Sequence, residues 1–158
     1  MSPLRMTGAV ALLLGARAVH AGPCNVTIEG NDMMQFSLRE ITVPADCTEV
    51  EVNLKHSGKM PAKVMGHDWV LARASDMSSI VNAGLAAGFS RGYLPENDKR
   101  IIAATKVVGG GESAVVKFST SLLQQGIRYV FFCTSPGHSS AMRGTLLFGE
   151  TNMALRGH

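Results

Sequence analysis

The chain has little of what marks several large classes of protein. Charged residues make up 17% and aromatic residues 6% of its 158 residues. No dense stripe of lysine and arginine with interleaved aromatics is present, which argues against a nucleic-acid surface. The glycine triplet that begins at Gly109 lacks the following Gly-Lys-Ser or Gly-Lys-Thr of a phosphate loop. The apolar run 9–14 is much shorter than the about 20 residues that a membrane helix needs, so no membrane segment is expected.

The first 21 residues have the pattern of an export signal. Arg5 supplies a positive start, residues 9–14 an apolar centre, and residues 19–21 a cleavage motif that ends in a small residue. Removing residues 1–21 discards Arg5, Arg17 and no acid, so the net charge falls from +3 to +1. We therefore expect a signal peptide over 1–21. The alternative is a buried N-terminal strand or helix.

Cysteine is scarce, with three residues in the chain. In an exported protein an odd number suggests one disulfide and one thiol with a separate role. Cys24 and Cys47 flank predicted strands in the first third, whereas Cys133 lies in a loop with other metal-binding side chains. We expect a Cys24–Cys47 disulfide, which stabilises by about 3 kcal/mol in the chain-entropy account. Cys133 is then free to bind a metal.

Short alternating segments separated by turn residues occupy most of the chain. Residues 48–54 alternate strictly, which predicts a half-buried strand. A further strand is expected over 64–71, and one helix is predicted around 76–88, with Asp76 as its N-cap and Gly88 as its stop. This pattern predicts an all-β, Greek-key β-sandwich with one inserted helix. The domain is expected to cover residues 22–149, with a mobile tail at 150–158.

One loop near the end of the chain carries the most chemistry. Cys133, His138 and Met142 follow one another with the spacing Cys-x4-His-x3-Met, between the apolar runs 129–132 and 145–148. Thiolate and thioether are soft ligands and imidazole is intermediate, a set that suits copper far better than magnesium, calcium or manganese. The loop predicts a copper site.

A trigonal copper site needs a second imidazole, and His67 is the best candidate. It follows Gly66, whose carbonyl can approach a metal closely because glycine has no side chain. Met142 would then be the weak axial ligand that tunes the reduction potential. His56 is interpreted as structural or linked to proton uptake, not as a ligand. Each ligand also has an ordinary interpretation: a buried free thiol, a core or loop histidine, and a methionine that fills the core.

Three other functions fit some of these residues. Cys133 and His138 could be the nucleophile and base of an enzyme. The same site could store copper without redox function, or could bind zinc. We favour a one-electron carrier. Such a protein makes and breaks no substrate bond, so we expect that the chain is not an enzyme.

Five stretches together resemble the azurins, a family of small bacterial cupredoxins. They are residues 28–32, 41–43, 64–67, 98–105 and 131–142. The resemblance implies one type 1 copper with His67, Cys133 and His138 in the trigonal plane, and with Met142 and the Gly66 carbonyl as axial ligands. It also implies a periplasmic electron carrier, which we expect to be monomeric.

The resemblance further implies that electrons leave through His138 within an apolar docking patch. The patch residues expected here are Met65, Leu85, Ser135, Pro136, Gly137 and Ala141. Partners implied by the family are redox proteins such as c-type cytochromes or copper nitrite reductase.

Three residues depart from the family pattern. Asp68 stands where azurins usually have asparagine, Ser135 where they often have phenylalanine, and Ala141 where a larger aliphatic residue is usual. A carboxylate at Asp68 would favour Cu(II), so we expect a lowered and pH-dependent potential relative to Asp68→Asn. Ser135 and Ala141 are expected to make the rim around His138 smaller and more polar.

Overall fold

The structure of the chain is a computed structural model that describes residues 24–149. The signal peptide expected over 1–21 and the tail expected over 150–158 lie outside these residues. Within the described part no helix is long and apolar enough to span a membrane.

The described chain is built mainly of strands. The eight strands between residues 24 and 149 are β1 (Asn25–Gly30), β2 (Glu40–Val43), β3 (Glu49–His56), β4 (Val70–Arg73), β5 (Ile101–Ala104), β6 (Ser113–Ser119), β7 (Tyr129–Phe132) and β8 (Arg143–Phe148). The helices are α1 (Ala62–Met65) and α2 (Met77–Ala87), and short 3-10 turns cover Phe89–Arg91, Thr120–Leu122 and His138–Ser140.

The strands form two sheets. One has the order β1-β3-β6, with β1 parallel and β6 antiparallel to β3. The other has the order β2-β8-β7-β4-β5, with β2 parallel to β8 and the remaining pairs antiparallel. One apolar cluster contains residues of both sheets, which confirms the predicted sandwich.

The core follows from the alternation of the strands. Val50, Val52 and Leu54 of β3 are each 0% exposed, as their period of two predicts. The Trp69 ring lies between Phe118 and Phe131, with ring centroids 6.3 and 5.9 Å away. This aromatic stack stiffens the core next to the segments that carry the candidate ligands.

Helix α2 packs on the outside of the sandwich. Its Ile80 is 0% exposed and belongs to a second apolar cluster with Val70, Ala72 and Phe132 of the larger sheet. The helix stops at Gly88, whose φ of 75° favours glycine. Asp76 occupies the predicted N-cap position, but its side chain makes no capping hydrogen bond.

The strand expected over 64–71 is wrong in its first half. The Val64 and Met65 N–H groups donate to the Pro61 carbonyl at 2.9 and 3.0 Å and close a helical turn. Proline at the start of a turn suits this geometry because its φ is already fixed. His67 then pairs with Val108 in an isolated bridge, and β4 begins only at Val70.

The expected disulfide is confirmed. Cys24 and Cys47 are bonded, with their Cα atoms 5.7 Å apart. The bridge ties the start of β1 to the turn before β3. Cys133 is a free, buried cysteine.

Candidate metal centre

Three potential ligands converge where the two sheets meet the loops at one end of the sandwich. His67 comes from the segment before β4, Cys133 follows β7, and His138 begins a 3-10 turn. Cys133 Sγ lies 4.0 Å from His67 Nδ1 and 3.6 Å from His138 Nδ1. The three ligand atoms all lie within 4.8 Å of one another. One ion placed among them can therefore contact all three.

The orientation of His67 is fixed by its backbone and by the far side of its ring. The His67 N–H donates to the Val108 carbonyl at 3.0 Å, and the Val108 N–H donates back at 2.8 Å. Nε2 lies 2.8 Å from the Asn31 carbonyl, which can only accept, so Nε2 carries the proton. The unprotonated Nδ1 is then the atom directed at Cys133, as a metal ligand requires.

His56 supports His67 from the other side of its ring. The two rings are stacked with centroids 4.5 Å apart and an interplanar angle of 12°. His56 Nε2 donates to the Met65 carbonyl at 2.7 Å, and its Nδ1 accepts from the Gly58 N–H at 3.0 Å. Both ring nitrogens are occupied, which agrees with the expectation that His56 is no ligand.

Burial keeps the candidate ligands uncharged in the metal-free protein. It lowers the pKa of His67 from 6.5 to about 4, although the bond to the Asn31 carbonyl acts in the other direction. Burial likewise lowers the pKa of His138 and raises the pKa of the Cys133 thiol well above its ordinary value. The imidazoles therefore keep a free lone pair, and a cation that binds has to displace the thiol proton.

Backbone groups prepare the sulfur for negative charge. The N–H groups of Asp68 and Ser135 favour the thiolate of Cys133 and so oppose the effect of burial on its pKa. The Cys133 N–H donates to the Met142 carbonyl at 3.0 Å, which joins the two ends of the ligand loop. Such contacts hold the ligands in place before any metal arrives.

Met142 is 0% exposed, and its side chain packs against Gly30, as the ring of His67 does. A Cβ added at Gly30 would lie 2.7 Å from His67 Cδ2 and 3.2 Å from Met142 Cε. Both side chains therefore pack on the bare backbone of Gly30. The guanidinium of Arg39 donates to the carbonyls of Ala141 and Arg143, at 2.6 and 3.3 Å, and braces the backbone on either side of Met142.

Two hydroxyl residues link the His67 segment to the Cys133 loop. The Thr134 N–H donates to Asp68 Oδ1 at 2.7 Å, and the Thr134 hydroxyl donates to Asp68 Oδ2. The Ser135 hydroxyl donates to the Gly66 carbonyl at 2.7 Å. These bonds connect the neighbours of His67 with the two residues after Cys133.

The Asp68 side chain therefore contacts the ligand loop as a hydrogen-bond acceptor, whereas the amide of an asparagine could also donate. Burial raises its pKa from 3.8 to about 6, and the two bonds from Thr134 offset this rise only in part. The expected effect of Asp68 on the potential stays a prediction.

The residues expected in the docking patch differ in exposure. Pro136, Gly137 and Leu85 are exposed, and Met65 and Ala141 are partly buried. Ser135 is 5% exposed, because its side chain turns inward to Gly66. Ser135 therefore adds little polar surface around His138, contrary to the expectation that it makes this rim more polar. His138 is 6% exposed, so only a small part of it reaches solvent.

Several supporting residues were missed from the sequence. Gly30 and Asn31 touch His67 from about 36 positions away, and Arg39 reaches the loop across more than 100 positions. The bonds from Thr134 and Ser135 also depend on the packing of distant segments. No local sequence pattern signals such contacts, because they exist only once the sheets are assembled.

The geometry argues against an enzyme nucleophile. Cys133 is 0% exposed and its thiol holds its proton far more firmly than a free cysteine does. A reactive cysteine needs thiolate character and access to its substrate. The fit to a soft metal is better: one thiol sulfur and two neutral imidazole nitrogens point at a common, buried centre. The fold and the site together define a β-sandwich protein with a buried transition-metal centre.

Comparison with known proteins makes the class specific. The sequence pattern described as "Copper binding proteins, plastocyanin/azurin family" matches residues 22–149. The azurin of Pseudomonas aeruginosa is 49% identical over 144 residues, covering 90% of this chain and 97% of the relative. The azurin of Bordetella pertussis is 46% identical over 143 residues, covering 90% and 95%.

A solved structure agrees with these relatives. The azurin Az-iso2 of Methylomonas sp. strain J is 45% identical and superposes with a TM-score of 0.78, covering 80% of this chain and 98% of that one. The chain belongs to the plastocyanin/azurin family of copper-binding proteins. It is a type 1 copper electron carrier whose cofactor is one copper ion, as the resemblance implied.

Proposed function

We propose that this chain carries single electrons on one copper ion held by His67 Nδ1, Cys133 Sγ and His138 Nδ1. The observation that carries the proposal is the convergence of these three atoms in a buried site, with the sulfur 3.6 and 4.0 Å from the two nitrogens. Met142 and the Gly66 carbonyl are the weaker ligands. The buried thioether and the placement of Gly66 directly before His67 support their inclusion.

The role of the protein is to keep one arrangement of ligands in both oxidation states. Copper supplies the redox chemistry by alternating between Cu(II) and Cu(I). The chain holds His67 through Asn31 and Val108, and it holds the loop through bonds from Thr134 to Asp68 and from Cys133 to Met142. A site that is fixed from several sides needs little rearrangement when the charge of the ion changes.

His138 is the proposed exit for the electron. It is the candidate ligand residue that retains some exposure, at 6%, whereas His67 and Cys133 have none. Pro136 and Gly137, which directly precede His138 in the loop, are exposed and carry no charge, and the exposed Leu85 is proposed to belong to the same surface. A small uncharged surface favours brief contacts, as electron transfer requires. Redox proteins such as c-type cytochromes or copper nitrite reductase are the proposed partners.

The periplasm is the proposed compartment. The export-signal pattern of residues 1–21 and the Cys24–Cys47 disulfide both support it, since disulfides persist in oxidising compartments. The mature domain is proposed to be residues 22–149 and to act as a monomer that makes and breaks no substrate bond.

The visible spectrum after addition of Cu(II) tests this proposal. The native protein is expected to develop an intense blue thiolate-to-copper band that a reductant removes reversibly. Cys133→Ala should lack the band, and Ser140→Ala, on the same loop but exposed, should retain it. A colourless protein with tightly bound metal would contradict the carrier role and indicate zinc binding or Cu(I) storage. A native protein that binds no metal would contradict the copper site itself.

A further inference from the structure

Ser135 contacts three of the proposed ligand residues. Its N–H favours the Cys133 thiolate, its carbonyl accepts from the His138 N–H at 3.0 Å, and its hydroxyl donates to the Gly66 carbonyl at 2.7 Å. The first two contacts come from the backbone and would exist with any residue here except proline, which has no N–H. The third alone depends on the side chain being serine.

The bond to Gly66 lies in a protected place. Ser135 is 5% exposed, and Gly66 is buried between α1 and His67. No second hydrogen bond to the Gly66 carbonyl is found within residues 24–149. The hydroxyl therefore engages this oxygen without competition from solvent or from another protein donor, which makes the bond more effective than an exposed one.

We propose that the Ser135 hydroxyl is a positioning group that weakens the Gly66 carbonyl as a metal ligand. The inference rests on the proposed function, which assigns that carbonyl to the ligand set. A hydrogen bond draws on the oxygen lone pairs and restrains the direction in which the carbonyl points. The metal then depends more on the sulfur and nitrogen donors than it would without the serine.

The consequence is a shift in metal and redox preference. Carbonyl oxygen is a hard donor, whereas thiolate and thioether are soft and select Cu(I). Weakening the oxygen should disfavour Cu(II) relative to Cu(I), which raises the reduction potential. It should also disfavour Zn(II), which accepts oxygen ligands at short distance. Ser135 is therefore inferred to make the site more selective for copper.

The test compares Ser135→Ala with Ser135→Thr and Ser140→Ala. The first removes the hydroxyl, the second keeps it, and the third removes an exposed hydroxyl that donates to the Gly137 carbonyl on the same loop. A hydrogen bond contributes about 1 kcal/mol net, or roughly a fivefold change in an equilibrium constant. For Ser135→Ala we expect an about fivefold stronger preference for Cu(II), which lowers the potential by about 40 mV for one electron.

A second readout avoids copper altogether. Zn(II) affinity of the metal-free proteins, measured by competition with a chromogenic chelator, should rise about fivefold in Ser135→Ala, as the same hydrogen-bond energy implies. Ser135→Thr and Ser140→Ala should match the native protein in both measurements. A merely structural role would lower the affinity for both metals together and leave their ratio unchanged.

The possible outcomes distinguish a failure of the Ser135 inference from a failure of the proposed function. If Ser135→Ala keeps the native potential and zinc affinity, or shifts either in the opposite direction, the role of the hydroxyl is overturned. If Ser135→Thr, which keeps the hydroxyl, behaves like Ser135→Ala, loss of the hydrogen bond is not responsible, and the inference also fails. Absence of the blue band in the native protein would instead contradict the proposed function, so the two failures are distinguishable.

Discussion

Asp68 lies at the centre of the site without belonging to the proposed ligand set. It is 0% exposed, and its contacts to Thr134 hold the Cys133 loop against the His67 segment. A carboxyl group in this position can change its charge within the physiological range, because burial raises its pKa from 3.8 to about 6. Asparagine can make the same two contacts without titrating, since its amide both donates and accepts.

The Asp68 carboxyl should make the metal-free protein less stable as the pH rises. The unfolded chain releases the proton near pH 3.8 and the folded chain near pH 6. Between these values the folded state holds the proton more tightly than the unfolded state. The contribution of Asp68 protonation to the free energy of unfolding is therefore full below pH 3.8 and is lost as the pH rises through 6. The loss amounts to roughly 3 kcal/mol. His67 acts in the opposite sense, because its pKa is lowered from 6.5 to about 4.

The comparison with Asp68→Asn separates these effects. The free energy of unfolding of metal-free Asp68→Asn should rise by roughly 2 kcal/mol more than that of the native protein between pH 4 and 6. Urea unfolding at several pH values measures the difference. Parallel curves for the two proteins would show that Asp68 does not titrate in this window.

The negative charge of the Asp68 carboxylate should also lower the reduction potential. An ionised carboxylate beside the ligands favours Cu(II), so the native potential at pH 8 should lie below that of Asp68→Asn. A tenfold change in the affinity ratio of the two oxidation states corresponds to about 60 mV, which is the order of magnitude expected. The gap should narrow as the carboxyl is protonated at pH 5. Spectroelectrochemical titration measures it, and equal potentials at every pH would contradict the prediction.

Gly30 should be intolerant of even one methyl group. In Gly30→Ala the new Cβ would lie 2.7 Å from His67 Cδ2, so the ring has to move. Overpacking of this kind costs roughly 1–3 kcal/mol. The blue band should shift and weaken, since His67 is displaced from Cys133. Gly84→Ala in α2 is the matched control: its Cβ would meet the Tyr93 carbonyl beyond the end of the helix, so it should lower the stability but leave the band unchanged.

At the scale of elements, β1 joins the disulfide to the metal centre. Cys24 precedes the strand and Gly30 ends it, and six steps of strand rise separate them by about 20 Å. Replacing both Cys24 and Cys47 with alanine should lower the free energy of unfolding by about 3 kcal/mol. The blue band should be unchanged, because the bridge is remote from the ligands. A band that changes with the double replacement would show that the bridge positions the site.

The elements that could be predicted from the sequence are those whose periodicity is local. The alternation of residues 48–54 predicted β3, and helical spacing followed by Gly88 predicted α2. The expected strand over 64–71 is wrong in its first half, because the turn at Pro61 is decided by hydrogen bonds between neighbouring peptide groups and not by apolar pattern. Asp76 is the N-cap residue, as predicted, but its side chain makes no capping hydrogen bond, since its backbone is already helical.

The metal site, too, was predictable only where its residues are close together in the sequence. Cys133, His138 and Met142 lie on one loop, so their spacing alone suggested a soft metal site. The inward turn of Ser135 could not be predicted, because it depends on Gly66 lying opposite. Long-range contacts of this kind leave no periodic trace in the sequence.

For the molecule as a whole, copper should act as a stabiliser. An ion that binds only the folded chain adds about 4 kcal/mol to its stability when present at about 1,000 times its dissociation constant. Urea unfolding with and without copper measures the increment. Cys133→Ala should lose most of it, whereas the variant without the disulfide should retain it. An equal midpoint for the native protein with and without copper would contradict binding at a folded site.

The pairing of β2 with β8 determines when, during folding, the larger sheet can be completed. Glu40 lies opposite Thr145, so strands about 100 positions apart must meet before the larger sheet is complete. The loop from Cys133 to Met142 lies between the last two strands. A chain that emerges from a translocation pore with its N-terminus first therefore has no binding site until nearly its whole length has crossed. If the chain is exported as proposed, the compartment in which folding finishes, and not the one in which synthesis occurs, decides which metal the protein meets.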